Sequence, residues 1–322
     1  MAVSRVCLHR FSLSISSIPP YISHLRPRIR HFAAVSASSH STPNSTSTDI
    51  TTTPPPSPRP RWKPMCLYFT QSLCTKMDDL AHLNAFSHTF SEELNINAAA
   101  DMKHVRPQQF DHFLVLDLEG KVEILEFPVL MIDAKTLAVV DFFHRFVRPS
   151  EMGEQRINQY IEGKYGKIGV QSVWHDTAIP FTEVIKQFED WMAKHQLWAR
   201  EYGGHLNKAA FITCGNWDIK TKIPEQCKVS RMKTPSYFME WINLKDIYLN
   251  FYKRRVSRAS GMMTMMRELH MPLVGSHHLG IDDTKNITRV LRRLINDGAV
   301  LQITAQRNST GSVEFLFENR IR

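Results

Sequence analysis

Asp117 and Glu119 close an apolar run, Phe113–Leu118 (FLVLDL), and residues two apart in a strand project from the same face. Two acids converging at the end of such a run repel each other and lose solvation unless cations balance them. Alone, an Asp-x-Glu triplet is a weak signal and usually just a solvated strand end. A third acid, Asp218, follows a second strand-like run, Ala209–Cys214 (AAFITC), where open α/β folds place their chemistry, although Asp there also serves as a helix N-cap. A fourth, Asp283, enters the last long helical pattern five residues after His278. A plainer account has Asp282 or Asp283 capping that helix and His278 as a solvated loop residue; His277 lies beside it, and the H-x-x-x-x-D spacing selects His278. Taken together, Asp117, Glu119, Asp218 and Asp283 can hold two Mg²⁺ ions about 3.5–4 Å apart, the arrangement that stabilises both the attacking and leaving oxygens of a phosphodiester. Hard oxygen ligands favour Mg²⁺ or Mn²⁺ over zinc.

The elements that must position these groups follow from periodicity. Phe113–Leu118, Val122–Ile132 and Leu137–Val147 read as three strands, with Ile132–Thr136 as the turn between the last two; Ala209–Cys214 is a fourth and Val313–Phe317 a closing one. Phe181–Trp198 has helical apolar spacing, and Leu244–Phe251, Met262–Leu269 and Asp283–Asn296 read as helices, the last stopping at Gly298. Three early strands followed by alternating strands and helices predict one α/β domain with a mixed sheet over residues 110–322. Residues 65–109 are expected to form an accessory segment, and the methionine cluster Met262–Met266 to be helix packing.

Composition constrains the rest. The 322 residues carry a net charge of +9, with 43% hydrophobic and 22% charged residues. Residues 1–64 hold eight basic side chains against one acid, Asp49, and ten of the seventeen prolines, so the body of the chain is close to neutral. Bulk charge therefore does not argue for nucleic acid, and local sites must. The leader is Arg- and Ser-rich, acid-free before Asp49, and unable to bury enough apolar surface to order itself. It reads as a disordered transit peptide and linker, for a chloroplast in preference to a mitochondrion. No apolar run approaches the ~18 residues of a membrane-spanning helix, and no G-x-x-x-x-G-K, G-x-G-x-x-G or H-E-x-x-H is present. The five cysteines include no C-x-x-C pair, so neither a disulfide framework nor a zinc site is expected.

Four spaced motifs in order, Asp117-Leu118-Glu119, Glu126-Phe127-Pro128, Asn216-Trp217-Asp218 and His278-Leu279-Gly280-Ile281-Asp282-Asp283, make residues 110–300 resemble the DEDDh-type 3′–5′ exonucleases of the RNase T/DnaQ-like superfamily, within it the enhanced-RNAi exoribonucleases. The resemblance implies an RNase H-like mixed sheet flanked by helices and two Mg²⁺ (or Mn²⁺) ions. It also implies that Asp117 bridges both ions, that Glu119 and Asp283 complete one or the other site, that Asp218 acts through the outer coordination, and that His278 takes the proton of the attacking water. The implied substrate is an RNA 3′ end, in ribosomal RNA maturation or small-RNA trimming, with nucleoside 5′-monophosphate as product. Gly120-Lys121-Val122 stands where the family usually has Ala-Thr-Cys, and Lys167-Ile168-Gly169-Val170 where it has Leu-Thr-Gly-Ile, so the contacts near the terminal nucleotide, Gly120 among them, differ. A DNA-directed exonuclease and a catalytically silent RNA-binding module remain the alternatives. Candidate phosphate contacts are Lys253-Arg254-Arg255 with Arg258, and Lys285, Arg289, Arg292 and Arg293; Phe127, Trp174 and Trp217 are candidate stacking platforms, Phe127 reading better as core.

Overall fold

The computed structural model describes residues 63–90, 104–253 and 261–317. The expected leader lies outside these apart from its last two residues, as do Arg254, Arg255 and Arg258.

Strand β1 (His112–Leu116) occupies the middle of an eight-stranded mixed sheet. Antiparallel β2 (Glu126–Asp133) and β3 (Val139–Arg148) flank it on one side, with the two-residue β4 (Ile179–Pro180) beyond them. Parallel β5 (Ala209–Thr213) and β6 (Glu240–Asn243) flank it on the other, followed by the antiparallel pair β7 (Ala305–Arg307) and β8 (Val313–Phe315).

The unbroken apolar run in β1 is explained by cover on both faces of the sheet. Phe113 and Val115 belong to one core with Ile287, Val290 and Leu291 of the last helix; Leu114 and Leu116 point into a second with Val184, Ile185 and Phe188. Among the described residues the α-helices are α1 (Leu67–Thr70), α2 (Leu80–Ala85), α3 (Glu154–Tyr165), α4 (Gln171–Thr177), α5 (Phe181–Lys194), α6 (Ile223–Val229), α7 (Leu244–Phe251), α8 (Met262–Glu268) and α9 (Gly280–Asn296). A π-helical turn, Asp218–Lys222, leads into α6.

Three boundaries differ from expectation in ways that matter for the site. β1 ends at Leu116, and the chain re-enters the sheet through a single bridge between Glu119 and Glu126. Between them the backbone doubles back at Gly120 (φ +122°), where a Cβ would fall 2.0 Å from the carbonyl oxygen of Glu123. Only glycine fits that position, and it delays the start of β2 to Glu126. The last helix begins at Gly280, three residues earlier than expected, so Asp283 sits inside its first turn.

Residues 63–90 are not a detached accessory piece. Met65, Cys66 and Phe90 are buried, and Gln71 accepts the Phe146 N–H through its Oε1 (2.9 Å), tying the segment to β3.

Candidate active site

The end of β1 and the first turn of α9 meet at the carboxylates. One oxygen each of Asp117, Glu119 and Asp283 lies within 4.8 Å of the others. The approach is close because residue 280 is glycine: a Cβ there would stand 3.0 Å from the Asp117 carbonyl oxygen and 3.1 Å from both Glu126 and Pro128. Asp218, at the head of the π-helical turn, joins from the β5 side and accepts the Leu118 N–H (2.9 Å). That bond holds Asp218 against the end of β1, behind the convergent group of Asp117, Glu119 and Asp283.

The electrostatics identify what such a cluster needs. Burial, and then the charges of Asp218, Asp283, Glu119 and Glu126, push the Asp117 carboxyl well above its ordinary range. Burial raises Glu119 to about 7 against the opposing pull of Lys164, and raises Asp218 to about 6. Asp283 is raised as well, by burial. Convergent, desolvated oxygen donors of this kind are suited to hard divalent cations, whose charge removes the repulsion. The donor set therefore fits the Mg²⁺ or Mn²⁺ ions implied by the sequence, with Asp117, Glu119 and Asp283 as holders and Asp218 behind them.

His278 lies on the loop before α9 in a left-handed conformation (φ +70°), with its side chain largely exposed. Its N–H donates to Asp283 (2.8 Å), and its Nδ1 stands 4.0 Å from Glu119. Burial and the neighbouring His277 lower its pKa, keeping the imidazole neutral and able to accept a proton at neutral pH. His277 stacks on it at 3.9 Å between ring centroids, but turns its Nδ1 to both Asp283 oxygens (3.0 Å). The two histidines are thus divided: His277 is engaged with an acid, and His278 faces open space beside the acids.

Two residues essential to this geometry carried little signal in the sequence. Glu126 is fully buried and holds the start of α9: its carboxylate accepts the Gly280 N–H (2.9 Å), the Ile281 N–H (2.8 Å) and the Tyr165 hydroxyl (3.1 Å), and pairs with His144 (3.1 Å). Burial would raise its pKa, but His144 and the two helix N–H groups outweigh that and hold it below the usual range. Among these acids Glu126 is the one whose pKa is lowered; Asp117, Glu119, Asp218 and Asp283 are all raised. Lys164, from α3, donates to Glu119 (2.7 Å) and to the His278 carbonyl (3.1 Å), joining the acid cluster to the histidine loop. The Glu-Phe-Pro triplet marked the position of Glu126; nothing marked Lys164, because α3 was not foreseen.

The expected nucleic-acid contacts are sharply pruned. Phe127 is fully buried among Phe143, Phe181 and Phe188, so it is core and does not stack on bases. Trp174 is also fully buried, donating from Nε1 to the Leu125 carbonyl. Lys285 is buried and paired with Asp282 (3.0 Å) over the Phe90 ring, which removes it from reach of a phosphate. Arg292 is buried, Arg289 donates to the Pro272 carbonyl (2.6 Å), and Arg293 pairs with Asp297 (2.9 Å). Gly120 is buried and serves the turn. Trp217 remains, 45% exposed beside Asp218, and Lys253 is exposed after α7.

Residues 113–291 match the RNase T exonuclease family. The chain is 63% identical over 264 residues to an uncharacterized exonuclease domain-containing protein of Arabidopsis thaliana, covering 81% of this chain and 77% of that one. It is 34% identical over 205 residues to the 3′-5′ exoribonuclease 1 of Mus musculus, covering 60% of this chain and 56% of the mouse protein, so it spans little more than half of that relative. Among solved structures it is similar to the nuclease domain of 3′hExo, a DEDDh family member bound to rAMP (TM-score 0.52, 31% identity, 62% of this chain and all of that one). It is also similar to a 3′-exonuclease described in 3′-end specific recognition of the histone mRNA stem-loop (TM-score 0.55, 27% identity, 66% and 73%).

Proposed function

Because the chain belongs to the RNase T exonuclease family, with the match running from β1 into α9, we propose that it is a metal-dependent 3′–5′ exoribonuclease releasing nucleoside 5′-monophosphates. The observation that carries this reading is the meeting of Asp117, Glu119 and Asp283 beside an exposed, neutral His278. Divalent cations held there would supply Lewis-acid stabilisation of the phosphodiester oxygens. The chain's own residues do the remaining work. His278 accepts the proton of the attacking water at an imidazole nitrogen. Lys164 steadies the His278 loop through its carbonyl and keeps Glu119 more acidic than burial alone would leave it. Trp217 offers an exposed ring beside Asp218 for the terminal base.

The substrate we propose is the 3′ end of a structured RNA, in ribosomal RNA maturation or small-RNA trimming. The stem-loop recognised by one structural relative supports this class. The Arg- and Ser-rich composition of residues 1–64 supports an organellar setting, a chloroplast in preference to a mitochondrion. Among the described residues no helix is long and apolar enough to cross a membrane. Digestion of matched RNA and DNA strands, with and without EDTA, tests the reading. RNA should shorten from its 3′ end in Mg²⁺ and stay intact in EDTA; preferential loss of DNA, or degradation that persists in EDTA, would overturn it.

A further inference from the structure

Away from the carboxylates, in the segment that precedes the nuclease core, Cys66, Cys74, His82 and His88 direct one ligand atom each into a common point, all four within 4.8 Å of one another. The Nε2 atoms of His82 and His88 are 3.3 Å apart, and Cys74 Sγ stands 3.5 Å from His82 Nε2 and 3.6 Å from His88 Nε2. A tetrahedral zinc with Zn–N near 2.05 Å and Zn–S near 2.3 Å requires N···N of about 3.3 Å and S···N of about 3.5–3.6 Å. Hydrogen bonding explains the arrangement poorly. A neutral imidazole has one N–H and a thiol is a weak donor, so these donors cannot satisfy every mutual contact of the group. Cys66 and Cys74 are free thiols, so no disulfide accounts for their approach. We propose that these four residues form a structural Zn²⁺ site. Two thiolates with two imidazoles and no carboxylate is a donor set that favours zinc over the hard cations of the nuclease centre.

This corrects the expectation that the cysteines give no metal site. The ligands are spaced Cys-x7-Cys-x7-His-x5-His, without the short cysteine pair that marks a zinc knuckle in sequence. They converge because the chain folds back on itself: Met65 bridges to Ser87, Cys66 N–H donates to the Ser87 carbonyl (2.9 Å), and Ser87 N–H to the Pro64 carbonyl (2.8 Å).

The fold of this segment gives the metal a task. Its helices, α1 and α2, have four and six residues, far below the ~12–15 at which a helix is even marginal alone. A zinc ion would close the loop between Cys66 and His88 and fix α1, whose end supplies Thr70 Oγ1 (2.7 Å) and Gln71 Nε2 (3.0 Å) to His144 Nδ1. His144 in turn pairs with Glu126, the anchor of α9. The site is therefore a positioning device whose far end is the helix bearing Asp283.

Metal analysis of the purified full chain, dialysed against EDTA-free buffer containing Mg²⁺, tests the proposal. About one zinc per chain is expected. It should be retained in Asp117→Asn, which separates it from the nuclease centre, and lost in Cys74→Ser and His82→Ala. Cobalt exchanged into the wild type should give thiolate-to-metal charge-transfer and tetrahedral d–d bands. Should the removal variants fail to fold, His82→Cys, which keeps a ligand, should restore both folding and zinc. A wild-type chain that folds without zinc and with Cys66 and Cys74 open to thiol reagents would overturn the proposal, as would zinc retained in Cys74→Ser and His82→Ala.

Discussion

Replacing Glu126 tests how the nuclease centre is held together. Its carboxylate is fully buried and accepts two N–H groups from the first turn of α9, which no intrahelical carbonyl can satisfy, as well as the Tyr165 hydroxyl and the His144 ring. Glu126→Ala leaves these partners buried without the anion they surround. A hydrogen bond to a charged group contributes roughly 1.5–3 kcal/mol, and breaking a buried pair by removing one partner costs about 3–5 kcal/mol. The bonds share one carboxylate and do not add, so we expect about 3–5 kcal/mol in all. For a folded body of this size, each kcal/mol moves the unfolding midpoint by about 2–4 °C, giving a fall of roughly 6–20 °C. Glu126→Gln keeps the shape and one acceptor oxygen but turns an amide N–H₂ toward other donors, so it should recover part of the loss. Thermal unfolding in Mg²⁺-free buffer without chelator isolates the effect from cations at the nuclease centre, and turnover of a labelled RNA reports the displacement of Asp283. An Ala variant that unfolds within a degree of wild type would refute the reasoning, because no anchor of this kind can be removed without cost.

The acids that converge without a cation make stability depend on pH and metal together. With Glu119 raised to about 7, Asp218 to about 6 and Asp117 well above its ordinary value, the folded state favours the protonated forms. That contribution, of order 3 kcal/mol for Glu119 alone, is complete at pH 4 and lost as pH rises through 6 to 7. The unfolding temperature in Mg²⁺-free, chelator-free buffer should therefore fall between pH 5 and 8, and Mg²⁺ should raise it most at pH 8; a Mg²⁺ effect larger at pH 5 would contradict this. Lys164→Met removes the cation that opposes the effect of burial on Glu119. We expect turnover at pH 7 to drop by roughly 10- to 100-fold, as for one lost charge-assisted hydrogen bond, and to recover partly at pH 8.5, with an unchanged pH profile as the contrary result. Trp217→Ala should raise KM for RNA about tenfold, the scale of one lost base stack, with no change in unfolding temperature; an unchanged KM would remove Trp217 from the substrate path.

How much was legible follows from what each residue needs. Parity along β1 placed Asp117 and Glu119 on one face, and they do converge, although the strand ends before either and Glu119 returns through its bridge to Glu126. The β1 run read as buried because both of its faces are covered. Helix α3 went unread although Ile157, Ile161 and Tyr165 form its buried stripe, because Gly163 and a polar majority mask the period, and with it went Lys164. Lys285 was misjudged because a lysine on a helix is usually solvated. Here Phe90, from a segment distant in sequence, covers it. Cover of that kind, like the convergence of Cys66 with His88, is a property of tertiary packing that local patterns do not encode.

The most direct measurement is the rate at which Asp117→Asn shortens a 5′-labelled RNA in Mg²⁺, on protein whose unfolding profile shows it is folded. Asp117 lies within reach of both Glu119 and Asp283, so losing its charge should abolish stepwise trimming from the 3′ end and the release of nucleoside 5′-monophosphates. Trimming by the variant at the wild-type rate would mean that these acids do not carry the reaction.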